Sequence, residues 1–131
     1  MLSFCMNIDR GCLLCTGFFE THSHLFCECH YSRTILNACP IAVSTVWTDI
    51  CAGGILVNQV DTIRDNIAYL YVAVAYYHIW AERNLRLHSP GQYNQPIILI
   101  RRIKDVVRSK LVVSKLFTRF ARQDFTLNSF L

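Results

Sequence analysis

Charge is in short supply: 17% of the 131 residues are Asp, Glu, Lys or Arg, against about 25% in an average soluble protein. With 53% hydrophobic residues beside them, much of the surface calls for a partner, a membrane or another part of the chain. The acids that exist are scattered. No Asp-Asp pair occurs among Asp9, Asp49, Asp61, Asp65, Asp105 and Asp124, which excludes polymerase chemistry, because that needs paired aspartates to hold two Mg²⁺. RNase H chemistry needs clustered carboxylates for the same reason. Neither Gly53-Gly54 nor Pro90-Gly91 leads into Gly-Lys-Ser/Thr, so both are turns rather than phosphate loops. No internal repeat or low-complexity tract is present. The unbroken apolar run Ile67–Tyr77 has 11 residues, short of the roughly 20 that a membrane span requires. Met1 to Gly11 lacks a basic n-region and a continuous apolar h-region, so an intracellular placement, nucleus or cytoplasm, is expected.

Cysteine, in contrast, is abundant and unevenly placed. Five of the seven cysteines and three of the five histidines fall between residues 5 and 30. An odd count without a secretory signal reads as thiols, not as a closed disulfide framework. Cys12-Leu13-Leu14-Cys15 is followed by His24 and Cys29, a C-x2-C-x8-H-x4-C arrangement. A C-x2-C turn sets two thiolates on one side of a tight loop, and a following helix-like segment can return His24 and Cys29 to complete a tetrahedron. Zinc suits thiolate and imidazole donors, and four protein ligands make a structural site. His22, Cys27 and His30 lie within two residues of the chosen pair and remain possible substitutes. A thiol near an imidazole can also be activated as a nucleophile, but no oxyanion donor or orienting acid can be named, so no enzyme is expected.

The string around this cluster is Met6-Asn7-Ile8-Asp9, Cys12-Leu13-Leu14-Cys15, Glu20-Thr21, His24-Leu25-Phe26, then Cys29 with Tyr31-Ser32. It resembles the zinc-binding domain of LINE-type (non-LTR) retrotransposon reverse transcriptases over about a fifth of the chain. A later string, Ile79-Trp80-Ala81-Glu82-Arg83-Asn84 with Arg86 and His88, is similar to the Trp-x-Glu-Arg-Asn segment that follows that domain. Three departures stand out. Leu13 and Thr16 occupy places where the family has Pro and Gly, which implies a looser turn, and His30 stands where Pro is frequent. The chain also starts 11 residues before Cys12, without the family's upstream Trp-containing segment. The resemblance therefore implies an N-terminally truncated fragment of a larger reading frame, binding Zn²⁺ and interacting with RNA or DNA.

The remaining chain reads as helical. Thr21 or Ser23 can cap a helix running to Leu36 and closed by Pro40, and a second short helix is expected from Val43 to Cys51, ended by Gly53-Gly54. Asp61 to His88 has no Gly or Pro and is apolar almost all round from Ile67 to Ala81, which suits one long buried helix. Within it, Glu82 and Arg86 are expected to form a surface pair, with Trp80 buried. After a turn-rich linker, Pro96 can open a last helix reaching about Gln123. Residues 97–122 hold eight basic side chains against Asp105 alone, while residues 1–96 hold five basic and seven acidic ones.

The expectation is a mostly α protein: a Cys/His zinc-stapled module at 1–38, then a helical region at 39–131 with two long helices and a basic amphipathic end. Arg101, Arg102, Lys104, Arg108, Lys110 and Lys115 are the candidate phosphate contacts. A protein partner on the apolar helix 61–88, or membrane-surface association through the basic helix, are the alternatives.

Overall fold

A computed structural model describes residues 11–39, 41–57 and 62–112. Among them the chain is mostly helical, without a named strand, and carries its Cys/His cluster at the N-terminal end. The order is a π-helical turn at His24–Glu28, α1 at His30–Leu36, α2 at Trp47–Cys51, α3 at Thr62–His88 and α4 at Pro96–Val112. Two isolated antiparallel bridges, Gly11 with Phe19 and Val43 with Leu56, close the loops on either side of α1.

The single helix expected from Thr21 or Ser23 to Leu36 is broken. Thr21 does cap its start, accepting the His24 N–H at 3.0 Å through its hydroxyl. The turn then widens to π geometry, and Cys29 adopts an extended backbone (φ −62°, ψ 130°) before α1 begins. An unbroken α-helix would set His24 and Cys29 about 140° apart around its axis. The π turn and the extended residue instead aim both donors at one point. Such insertions commonly mark functional sites.

The helix expected over Val43–Cys51 is shorter, starting at Trp47. Val43 pairs with Leu56, while the N–H of Ser44 donates to Ile55 at 2.7 Å and that of Val57 to Ala42 at 2.8 Å. β-Branched Val43, Thr45 and Val46 favour this extended path over a helix. Gly53, at φ 96°, turns the chain after α2 in a conformation that L side chains rarely adopt.

Both long helices form where their local chemistry allows. α3 contains no Gly or Pro, and its buried residues Ile67, Ala68, Tyr71, Val72, Ala75 and Ile79 make one stripe. Tyr69, Leu70, Val74, Tyr76 and Trp80 flank that stripe, partly buried against the same core, and Tyr77 is 70% exposed. α4 opens on Pro96, whose missing N–H would have had no partner in a first turn. Leu99, Ile103, Val107 and Leu111 recur every fourth residue and are all buried. Burying each such side chain stabilises the fold by about 1.5–3 kcal/mol.

α4 packs along α3, and α1 touches both. Buried Tyr71 of α3 donates its hydroxyl to the Ile35 carbonyl of α1 at 2.9 Å. Apolar packing continues across residues 38 and 39, since one core cluster joins Cys12, Leu25 and Ile35 to Ile79 and Leu99. The expected C-terminal part of the last helix, 113–123, with Lys115, Arg119, Arg122, Phe117 and Phe120, lies outside the described residues.

Candidate metal centre

Cys12, Cys15, His24 and Cys29 converge, each with one donor atom, and these four atoms lie within 4.8 Å of one another. Cys12 and Cys29 have their sulfurs 3.8 Å apart, and the Cys15 sulfur is 3.2 Å from His24 Nε2. Zn–S near 2.3 Å and Zn–N near 2.1 Å in a tetrahedron require about 3.8 Å between sulfurs and about 3.6 Å between sulfur and nitrogen. The first pair has that spacing, the second is somewhat tighter, and the four residues expected from spacing alone are the four brought together.

Local backbone holds the loop. The Cys12 N–H donates to Phe18 at 2.6 Å, and the Thr16 N–H returns to the Cys12 carbonyl at 2.8 Å. Thr16 sits at φ 60°, and it is the non-glycine residue with positive φ among those described. This is the position where the resemblance implies Gly, so the departure leaves the turn in place with a strained residue in it.

Electrostatics within the cluster are those of paired sulfurs in a buried place. The Cys29 thiol lies below the ordinary range, chiefly because Cys12 hydrogen-bonds to it, and the N–H groups of Tyr31 and Ser32 help. Cys12 is pushed up correspondingly, first by its bond to Cys29 and then by burial, against the N–H groups of Leu14 and Cys15 that approach its sulfur. Burial lowers His24 below 6.5, which favours the neutral imidazole that a metal requires.

The three alternative ligands are elsewhere. His22 packs its ring 6.0 Å from that of Trp47, and His30 is exposed at the start of α1. Cys27 is buried, its thiol pushed up to about 11 by that burial, and it behaves as a small core hydrophobe.

Around the donors stands a polar shell that sequence reasoning misplaced. Glu82, expected to form a surface pair with Arg86, is 3% exposed, as is Arg83, and Trp80, expected to be buried, is only partly so. Arg83 Nε donates to Glu20 Oε1 at 2.8 Å, with Nη2 in ionic contact at 2.7 Å. The other Glu20 oxygen faces the Leu13 N–H at 3.5 Å. Arg86 does pair with Glu82, at 2.9 Å, and its Nη1 also donates to the Leu13 and Leu14 carbonyls at 3.1 and 3.2 Å. A legible signal existed: Glu82 and Arg83 follow Ile79 by three and four residues, so they continue the buried stripe of α3.

The cationic helix presents a different surface. Arg101, Arg102 and Lys110 are exposed, while Lys104 and Arg108 are half-buried. At 100° per residue, Arg101, Lys104 and Arg108 fall within about 60° of arc. Arg108 reaches Asp105 at 3.6 Å. No described helix is long and apolar enough to cross a membrane. Comparison with family models, curated proteins and solved structures finds no match to this chain.

Proposed function

We propose that the chain is a zinc-stapled, non-catalytic module that contacts nucleic acid. The convergence of Cys12, Cys15, His24 and Cys29 carries this reading. Three sulfurs and one imidazole favour Zn²⁺ over the oxygen-seeking ions Mg²⁺ and Ca²⁺. Four protein donors fill a tetrahedron and leave no open position for a substrate, as in structural zinc sites. The resemblance to the zinc-binding domain of LINE-type reverse transcriptases points the same way, and free thiols suit a reducing compartment, nucleus or cytoplasm. Reduced protein purified without added metal is expected to hold one zinc per chain, and Cys12→Ser with Cys15→Ser none. Absent stoichiometric zinc, or unchanged uptake in the double variant, rejects the assignment.

For nucleic acid the support is the cationic stripe of α4, with Arg101, Lys104 and Arg108 on one arc; Arg102 and Lys110 are exposed on other sides of the helix. The alternatives need apolar surface instead. The stripe Leu99, Ile103, Val107 and Leu111 that would enter a membrane surface is packed within the chain, as is most of the apolar side of α3. Binding of single-stranded and duplex oligonucleotides is expected to weaken steeply with salt, by about 0.7 and 0.9 respectively in log K per log salt for each phosphate contacted. No binding at low salt rejects this part.

A further inference from the structure

Arg86 is held from every side. Its Nε donates to Glu82 at 2.9 Å, its Nη2 to the Asn94 carbonyl at 3.2 Å, and its Nη1 to the carbonyls of Leu13 and Leu14. Its guanidinium carbon stands 4.8 Å from the Tyr31 ring and 5.6 Å from the Tyr93 ring. The holders are themselves fixed. Glu82 accepts the backbone and side-chain N–H groups of Asn94 at 2.8 and 2.9 Å, and the Tyr31 hydroxyl donates to the Asn94 carbonyl at 2.6 Å. A helix-stabilising Arg needs none of this.

The two carbonyls it chooses are informative. Peptide groups are planar and trans, so the N–H of each unit points away from its carbonyl. The unit carrying the Leu13 carbonyl bears the Leu14 N–H, and the unit carrying the Leu14 carbonyl bears the Cys15 N–H. Both N–H groups lie in the loop between the donors Cys12 and Cys15, so fixing these two peptide groups fixes the segment that carries the Cys12 sulfur. Hydrogen bonds in a chain polarise one another, more so away from water. A divalent ion on three thiolates and an imidazole leaves one net negative charge on the centre, and a guanidinium is the only formal positive charge on this relay.

We propose that Arg86 is an outer-sphere positioning residue of the metal centre, which acts through the Leu13 and Leu14 peptide groups to stabilise ligation by Cys12. The proposal rests on the metal reading above and assigns a role to a side chain some seventy positions away in sequence. Outer-sphere partners of this kind typically change metal affinity about 10–100-fold.

Cobalt(II) titration of the full chain tests it, with wild type, Arg86→Gln and Arg86→Lys compared. Arg86→Gln is expected to bind cobalt about 10–100-fold more weakly and to move the sulfur-to-cobalt charge-transfer band to longer wavelength, because the Cys12 sulfur becomes more electron-rich. Arg86→Lys, which keeps the charge, is expected to restore part of the shift. In amide NMR spectra of the zinc-loaded proteins, the Leu14 and Cys15 protons are expected to move upfield while that of Ser32, beside Cys29, stays. A strap with only a packing role would weaken binding without moving band or amides selectively, and that result overturns the proposal. Should Arg86→Gln fail to fold, Arg86→Lys carries the same readouts, and an unaltered band and Leu14 and Cys15 amides in it overturn the proposal equally. Wild type that binds no cobalt would reject the metal reading itself, whereas a loaded wild type with indistinguishable variants rejects Arg86 alone.

Discussion

Arg83 and Arg101 carry the same guanidinium into opposite surroundings. Arg83 lies on the inner stripe of α3, 4% exposed at its side chain, against a Glu20 carboxylate that is fully buried. Arg101 stands on the outer face of α4 in solvent, and the ion pair next to it, Arg108 with Asp105, is 38% and 75% exposed at 3.6 Å. A buried pair is expensive to assemble, yet removing one partner strands the other charge without water. An exposed pair contributes little because water and salt already screen it, about 0–1 kcal/mol. The inner charges are thus committed to the fold, and the outer ones stay in contact with solvent.

The sharpest way to break that contrast is to remove one charge from each region. Arg83→Met is expected to destabilise the protein by about 3–5 kcal/mol, since Glu20 is left buried and unpaired. Arg101→Met is expected to change stability by no more than about 0.5 kcal/mol. Denaturant unfolding checks both, and adding Glu20→Leu to Arg83→Met is expected to recover much of the loss. Equal losses at Arg83 and Arg101 would remove the distinction between the regions.

The outer region is sharpened by the converse experiment. Replacing Arg101, Arg102, Lys104 and Arg108 by Gln is expected to lower oligonucleotide affinity and to flatten the log K against log salt slope by up to about 3.6 for duplex and about 2.8 for single strands. The melting curve is expected to stay close to wild type. A salt slope that does not change takes α4 off the binding surface.

The smallest effect is expected inside the metal loop. Thr16 at φ 60° holds a left-handed conformation, which costs an L residue roughly 1–2 kcal/mol relative to glycine. Part of that is offset by the greater freedom glycine has when unfolded. Thr16→Gly is expected to raise stability by about 0.5–1 kcal/mol, read as a higher midpoint with unchanged metal stoichiometry. A loss of stability would show that the Thr16 hydroxyl, which donates to the Cys15 carbonyl at 2.7 Å, matters more than the strain.

Much of this was legible from residues alone because it is local. The stretch without Gly or Pro became α3 at Thr62–His88, and Pro96 began α4. The donor spacing named Cys12, Cys15, His24 and Cys29 while leaving His22, Cys27 and His30 open, and the structure brings the first four together. What failed was also instructive. Glu82 was read as a surface residue paired with Arg86 because charge usually means solvent, and continuing the buried stripe one turn past Ile79 would have turned Glu82 and Arg83 inward. The break at Cys29 had no counterpart in the pattern, since His24 to Leu36 carries neither Gly nor Pro.

By itself, then, the sequence determined the helical character of its long segments and narrowed the candidate metal donors to one Cys/His cluster, through propensities and spacings that act within a few residues. Tertiary structure alone decided that Arg83 meets Glu20, 63 positions away, and that Arg86 reaches Leu13, 73 positions away. It also decided that the chain unwinds at Cys29 to close the cluster. Such pairings depend on how α3 rotates and packs against the cluster, which is set by the burial of its whole stripe at once. No pair of residues in the sequence specifies that rotation, so a charge on the inner face and a charge on the outer face look the same until the helix is docked.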